Sequence, residues 1–195
     1  SWDPNNEDLR QRVFLLQLAE GRLSDALQHA YALEHSAEDP VLPVVALAAA
    51  AMQSGDYSAA LARFAELDAA GLPGLVRLLG QAWAAAGSGD LAAARAVLAF
   101  STDQPAWHQL AAMHRALIED VGGGDAAAAY AAAEADGAMK SVRAAALLAN
   151  FRARQADSTV APLVADTKAG LGEGLFSVAA ALNQGERSLS ALIYA

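Results

Sequence analysis

Cysteine is absent from the 195 residues, so disulfides and thiolate metal sites are excluded. Basic residues are few, 13 against 22 acids, and the net charge is −9. A nucleic-acid-binding face needs a basic surplus to displace counterions from phosphates, so none is expected. Aromatic residues make up only 6 % of a chain that is 55 % apolar. Alanine fills the difference, and alanine is the best helix former because it loses no side-chain entropy. β-Branched and aromatic residues never gather into alternating runs, so there is no strand pattern. The longest apolar stretch, Val41 to Met52, contains Pro43 and is too short to span a bilayer. Ser1-Trp2-Asp3-Pro4 has neither the basic nor the apolar part of a secretory leader. These absences leave an all-α class. A preference for arginine over lysine, with so much alanine, points to a GC-rich bacterial genome; cytoplasm and periplasm both stay open.

A long-period repeat is present. Gly21-Arg22-Leu23-Ser24-Asp25-Ala26, Gly55-Asp56-Tyr57-Ser58-Ala59-Ala60, Gly89-Asp90-Leu91-Ala92-Ala93-Ala94 and Gly124-Asp125-Ala126-Ala127-Ala128-Ala129 echo one another. Their leading glycines are 34, 34 and 35 residues apart, and fainter echoes stand at Ala156-Asp157-Ser158 and Gly185-Glu186-Arg187. Glycine reaches the left-handed conformation that ends a helix, and aspartate caps the next, so each phrase reads as a tight turn between two antiparallel helices. Val44, Leu47, Ala48 and Ala51 before the second turn, and Ala60, Phe64 and Leu67 after it, recur at helical steps. Pro40 and Pro43, Gly71 to Gly74, Pro105, Gly137 and Gly170 to Gly174 break the chain between pairs. The expectation is six helix pairs in one unit over 1–195, near 7–40, 41–72, 73–103, 104–137, 138–170 and 171–195.

This pattern resembles the tetratricopeptide repeat, in which W-x2-L-G-x2-Y precedes the turn and A-x3-F and a late proline follow it. Leu79-Gly80-x2-Trp83 and Trp107-x2-Leu110-Ala111-x2-His114 match the first part, with Trp83 and His114 both in the tyrosine place. Ala60-x3-Phe64 and Pro73 match the second, and Trp2-Asp3-Pro4-Asn5-Asn6 resembles the end of a preceding repeat. There are departures. The Gly87-Ser88-Gly89 turn carries two extra residues, the fourth unit's first helix runs to about Val121, and the fifth unit lacks its turn glycine and places Pro162 in or at its second helix. The resemblance implies a right-handed α-solenoid. The sequence reads as a piece of a longer array, cut at both ends, with apolar end faces able to self-associate.

No constellation for catalysis, cofactor or metal emerges. His29 and His35, like His108 and His114, are six apart, about 600° around a helix, and so do not share a face. Glu38-Asp39 and Glu119-Asp120 are sequence neighbours that point apart. Gly122-Gly123-Gly124 and Gly170-x-Gly172-x-Gly174 follow no strand and precede no lysine-serine or lysine-threonine pair, so they read as inter-helix turns. Ser101, Ser141 and Ser158 sit where turns and caps want them.

In the family the resemblance points to, the first helix of each pair lines a concave binding surface. Carried over, its positions fall on Asp8, Gln11, Leu15, Leu18 and Ala19, then on Leu42, Val45, Ala49, Met52 and Gln53. They continue with Arg77 and Gln81, His108 and Arg115, then Arg143, Asn150 and Arg154, and end at Leu175, Leu182 and Asn183. Apolar residues line the first two units and arginines the next three. Arginine's planar fork matches carboxylates, so the expected partner is a protein or peptide segment with acidic or C-terminal carboxylate groups. The plain alternative is that these arginines pair with nearby acids. The resulting expectation is a non-catalytic interaction scaffold; the alternatives are a regulatory or targeting module of a larger enzyme-containing protein, or a self-assembly element.

Overall fold

The computed structural model describes residues 6–36, 39–99 and 105–183, with backbone alone at 105–106 and 181–183. Among the described residues there are ten helices and no strand: α1 (Glu7–Ala19), α2 (Leu23–Leu33), α3 (Val41–Ser54), α4 (Tyr57–Ala65), α5 (Gly71–Gly87), α6 (Leu91–Leu98), α7 (Pro105–Gly122), α8 (Ala126–Ala135), α9 (Val142–Ala156) and α10 (Thr167–Asn183). The all-α class therefore holds. The opening Trp2-Asp3-Pro4-Asn5, Glu38, Ser101, the echo at Gly185-Glu186-Arg187 and the expected last helix lie outside the described residues, as do the Leu182 and Asn183 side chains.

The turns repeat with a stricter period than the glycine phrases suggest. Gly21, Gly55, Gly89 and Gly123 have φ of 71°, 82°, 86° and 73°, so left-handed glycines recur every 34 residues. The residue after each donates its N–H across the helix end: Arg22 to Gln17, Asp56 to Ala51, Asp90 to Ala85 and Gly124 to Glu119. These bonds satisfy carbonyls that the last helical turn would otherwise orphan. In the fourth turn, Gly123 and not Gly124 takes the left-handed role, and Gly124 is the inserted residue. Asp56, Asp90 and Asp125 then accept from Ala59, Ala93 and Ala128 N–H at 3.0, 2.8 and 3.0 Å, as N-caps. The first phrase differs: Arg22 makes no side-chain cap bond, and Asp25 accepts from Arg22 at 2.8 Å instead. The Gly87-Ser88-Gly89 turn holds no extra residues, because Gly87 is the last residue of α5.

Each helix from α1 to α7 packs on the next in sequence. Glycines make the close approaches. A Cβ on Gly80 would run into the Phe64 ring, so Phe64 of α4 sits on Gly80 of α5. Tyr57 covers Gly87 and Leu91 covers Gly122 in the same manner. The start of one unit's second helix thus meets the end of the next unit's first. Phe64, Ala60 and Trp83 are fully buried in the main core, and Phe14, Ala26, Ala30 and Leu33 form a smaller core with Ala46 and Leu47 of α3.

The chain departs from the expected pairing after α9. Residues 157–166 form no helix, although the repeat pattern predicts a second helix carrying Pro162 there. Asp157 accepts from the Thr159 N–H and hydroxyl at 2.9 and 2.7 Å, a local turn that competes with helix, and Pro162 has no N–H to give. Gly170 to Gly174 is likewise no break: it lies inside α10. That helix returns to touch α3, α5 and α7.

Candidate functional site

The helices α3, α5 and α7 open three successive units; α3 touches α5, α5 touches α7, and α10 lies against all three. At the centre stand the two residues that share the tyrosine place of the motif. Trp83 Nε1 donates to His114 Nδ1 at 3.1 Å, with the rings edge to face at 5.9 Å. Both are fully buried. Because Nδ1 accepts, the neutral imidazole carries its proton on Nε2, which has no hydrogen-bond partner. Burial holds the His114 pKa down to about 3. α10 closes this pair: a Cβ on Gly170 would run into the Trp83 ring. One on Gly174 would lie 3.5 Å from Leu79 and 3.7 Å from His114 Cε1, which is ordinary contact.

Ion pairs surround the junction. Arg143 of α9 donates from Nε to both Glu173 oxygens, at 2.9 and 3.0 Å, and from Nη2 as well. Glu173 of α10 is almost entirely buried, and its hydrogen bonds raise the Arg143 pKa. Arg154 of α9 grips Asp120 of α7 and lies 5.8 Å over the Phe151 ring, which stacks on Tyr130. Burial, with the Asp120 charge second, pushes the Tyr130 phenol pKa up. Arg95 of α6 forks onto buried Glu119, at 2.7 Å from Nη2, and this bond holds the Glu119 pKa down. The same carboxylate fills the space beside Gly124 and accepts from the Asp125 N–H, which explains why the inserted residue has no side chain.

The carried-over surface residues are distributed unevenly around this arrangement. Arg77 is half-buried and donates to the Leu67 carbonyl at 3.0 Å; Gln81 is half-buried on α5. His108 and Arg115 are exposed on α7, and Arg115 lies near enough to favour the Glu119 carboxylate. Arg143 and Arg154 hold acids of this chain, as above. Asn150 donates to the Ala161 carbonyl at 3.0 Å and accepts from Leu163 N–H at 3.1 Å, pinning the segment after α9. Gln11, Leu15 and Leu42 line a cleft of about 70 Å³ with Phe14, Leu33, Asp39 and Pro43. That is far below the volume of about 300 Å³ at which small-molecule pockets begin. Val45 and Met52 are buried in the core. Among the described residues, no group of three or more histidine or acidic side chains is placed to hold a metal ion, and no helix is long and apolar enough to cross a membrane.

Motif and composition gave no sign that Glu173, Gly170 and the Trp83–His114 bond meet in one place. No family model, curated protein or solved structure matches the chain.

Proposed function

We propose that the chain is a tetratricopeptide-type right-handed solenoid of antiparallel helix pairs. On this reading it acts without catalysis, as a scaffold that holds a protein or peptide segment against its first helices. One observation carries the reading: α10 already lies across α3, α5 and α7, with its buried Glu173 held by an arginine of α9. A surface that seats one helix with one carboxylate has the shape and charge to seat another. The 34-residue recurrence of left-handed glycines supports the solenoid, since stacked equivalent units bury a continuous core.

The test uses Arg115→Glu, which reverses an exposed charge on α7 and removes no hydrogen bond from the three internal ion pairs. A partner captured from the source organism's lysate by the unaltered chain is expected to bind the variant about tenfold or more weakly, the loss of one charge-assisted hydrogen bond. Equal binding, at equal helicity, places the interface elsewhere. Self-association is favoured by a separate observation: Leu9 and Leu16 of α1, two turns apart, are 36 % and 64 % exposed. Light scattering at rising concentration reads it directly, and Leu16→Glu is expected to abolish any oligomer formed there.

A further inference from the structure

We infer that the α3–α5–α7 surface is a receptor for a helix of α10's chemistry, and that α10 is a resident occupant which a partner helix displaces. This deepens the reading above and rests on it. Three independent features of α10 lead there.

The first is shape. Gly170, Gly174 and Val178 recur at four-residue steps and so share a face. Gly170 meets the Trp83 ring with no room for a Cβ, Gly174 meets Leu79 and His114 with room for one, and Val178 is fully buried. The second is charge. Glu173 is buried with its carboxylate against the partly exposed Arg143, and a competitor that lacks it leaves that bond unmade. The third is low intrinsic helicity. Residues 157–166, which lead into α10, are mostly exposed and form no helix. Three glycines lower the helix propensity of α10 itself. Gly172 has nothing within 4 Å of where a Cβ would stand, so no close approach requires it. α10 owes its helix to the seat, not to its own sequence.

The seat also states what a better ligand carries. His114 Nε2 bears a proton and has no acceptor while α10 is docked. The adjoining Gly174 place admits a Cβ at ordinary contact distance. A serine there brings an oxygen to accept from Nε2. The partner is therefore a helix with glycine at a first position, a carboxylate three residues on, and a small hydroxyl residue four residues on.

The experiment uses the whole chain and labelled peptides spanning residues 167–183, read by fluorescence anisotropy. Gly170→Leu in the chain drives a side chain into Trp83 and expels the resident helix while leaving the receptor surface unaltered. The native-sequence peptide is expected to bind this variant at least about tenfold more tightly than the unaltered chain, because resident competition is gone. A Gly174→Ser peptide is expected to gain about fivefold, one neutral hydrogen bond, and a Glu173→Lys peptide to lose binding. No binding to a Gly170→Leu chain that keeps its helicity overturns the inference, as does equal affinity for both chains. Hydrogen exchange on the unaltered chain decides the matter if Gly170→Leu unfolds. α10 amides that exchange well before those of α5 and α7 support displacement, and exchange only in common overturns it. These failures concern α10 alone: partner binding that still responds to Arg115→Glu would leave the scaffold reading standing.

Discussion

His114 makes the stability of this fold depend on pH. Its ordinary pKa of 6.5 is held down to about 3 by burial. Geometry opposes protonation a second time, because a proton on Nδ1 would confront the Trp83 N–H that now donates to it. The folded pKa lies below the unfolded one, so the neutral form is favoured in the fold. The contribution is fully present above pH 6.5 and is lost as pH falls towards 3. Each pH unit below 6.5 costs about 1.4 kcal/mol, so about 2 kcal/mol is gone at about pH 5. The Glu119 carboxylate, held below its ordinary 4.5 by Arg95, keeps its contribution above pH 4.5 and loses it only as the pH falls further, so it is retained at about pH 5. The assay is urea unfolding followed by helical circular dichroism at about pH 8 and pH 5. His114→Asn keeps an acceptor near the Nδ1 place for the Trp83 N–H but does not titrate. It should be less stable at pH 8, by about 1–3 kcal/mol for imperfect burial of its amide, yet should shed about 2 kcal/mol less than the native chain on acidification. The same acid loss in both proteins would refute the assignment, since the remaining histidines and carboxylates are common to both.

Two further predictions concern the repeat itself. Asp56→Ala, Asp90→Ala and Asp125→Ala should each cost about 1 kcal/mol in urea unfolding, while Arg22→Ala, which removes no cap bond, should cost less than any of them. Phe64→Ala should cost about 3–5 kcal/mol and Gly80→Ala about 1–3 kcal/mol. If Phe64 truly sits on Gly80, Phe64→Leu with Gly80→Ala should be more stable than the sum of the single changes, by about 0.5–3 kcal/mol in a double-mutant cycle.

The helical class, the first eight helices and their turns were legible because local chemistry states them. A left-handed glycine followed by a capping aspartate specifies a turn wherever it occurs, and three of the four phrases place that glycine correctly. The fourth misleads by one residue, because three glycines in a row offer two candidates for the left-handed position. Gly123 takes the left-handed φ, and Gly124 lies beside the Glu119 carboxylate. Gly170 to Gly174 misleads more seriously. Glycines at alternate positions weaken a helix, and the sequence alone supplies no reason to place one there. The reason is the Trp83 ring, 87 residues away in the chain, which admits a helix only where a side chain is missing.

The arginine partners are a different case, because the repeat length itself points to them. In a stacked array, residues about one repeat apart in sequence occupy neighbouring units and meet side by side. Arg154 and Asp120 are separated by 34 residues, Arg143 and Glu173 by 30, Arg63 and Glu34 by 29, and Trp83 and His114 by 31. Opposite charges spaced near the repeat length are therefore candidate pairs, and Arg154 with Asp120 has that spacing, whereas Arg95 and Glu119, 24 residues apart, do not. The carboxylate expected from a partner is supplied, at Arg143, by Glu173 of the chain's own α10. On the proposed reading the surface keeps its chemistry and changes its first ligand, so a search for partners should begin from the sequence of α10 and not from acidic segments at large.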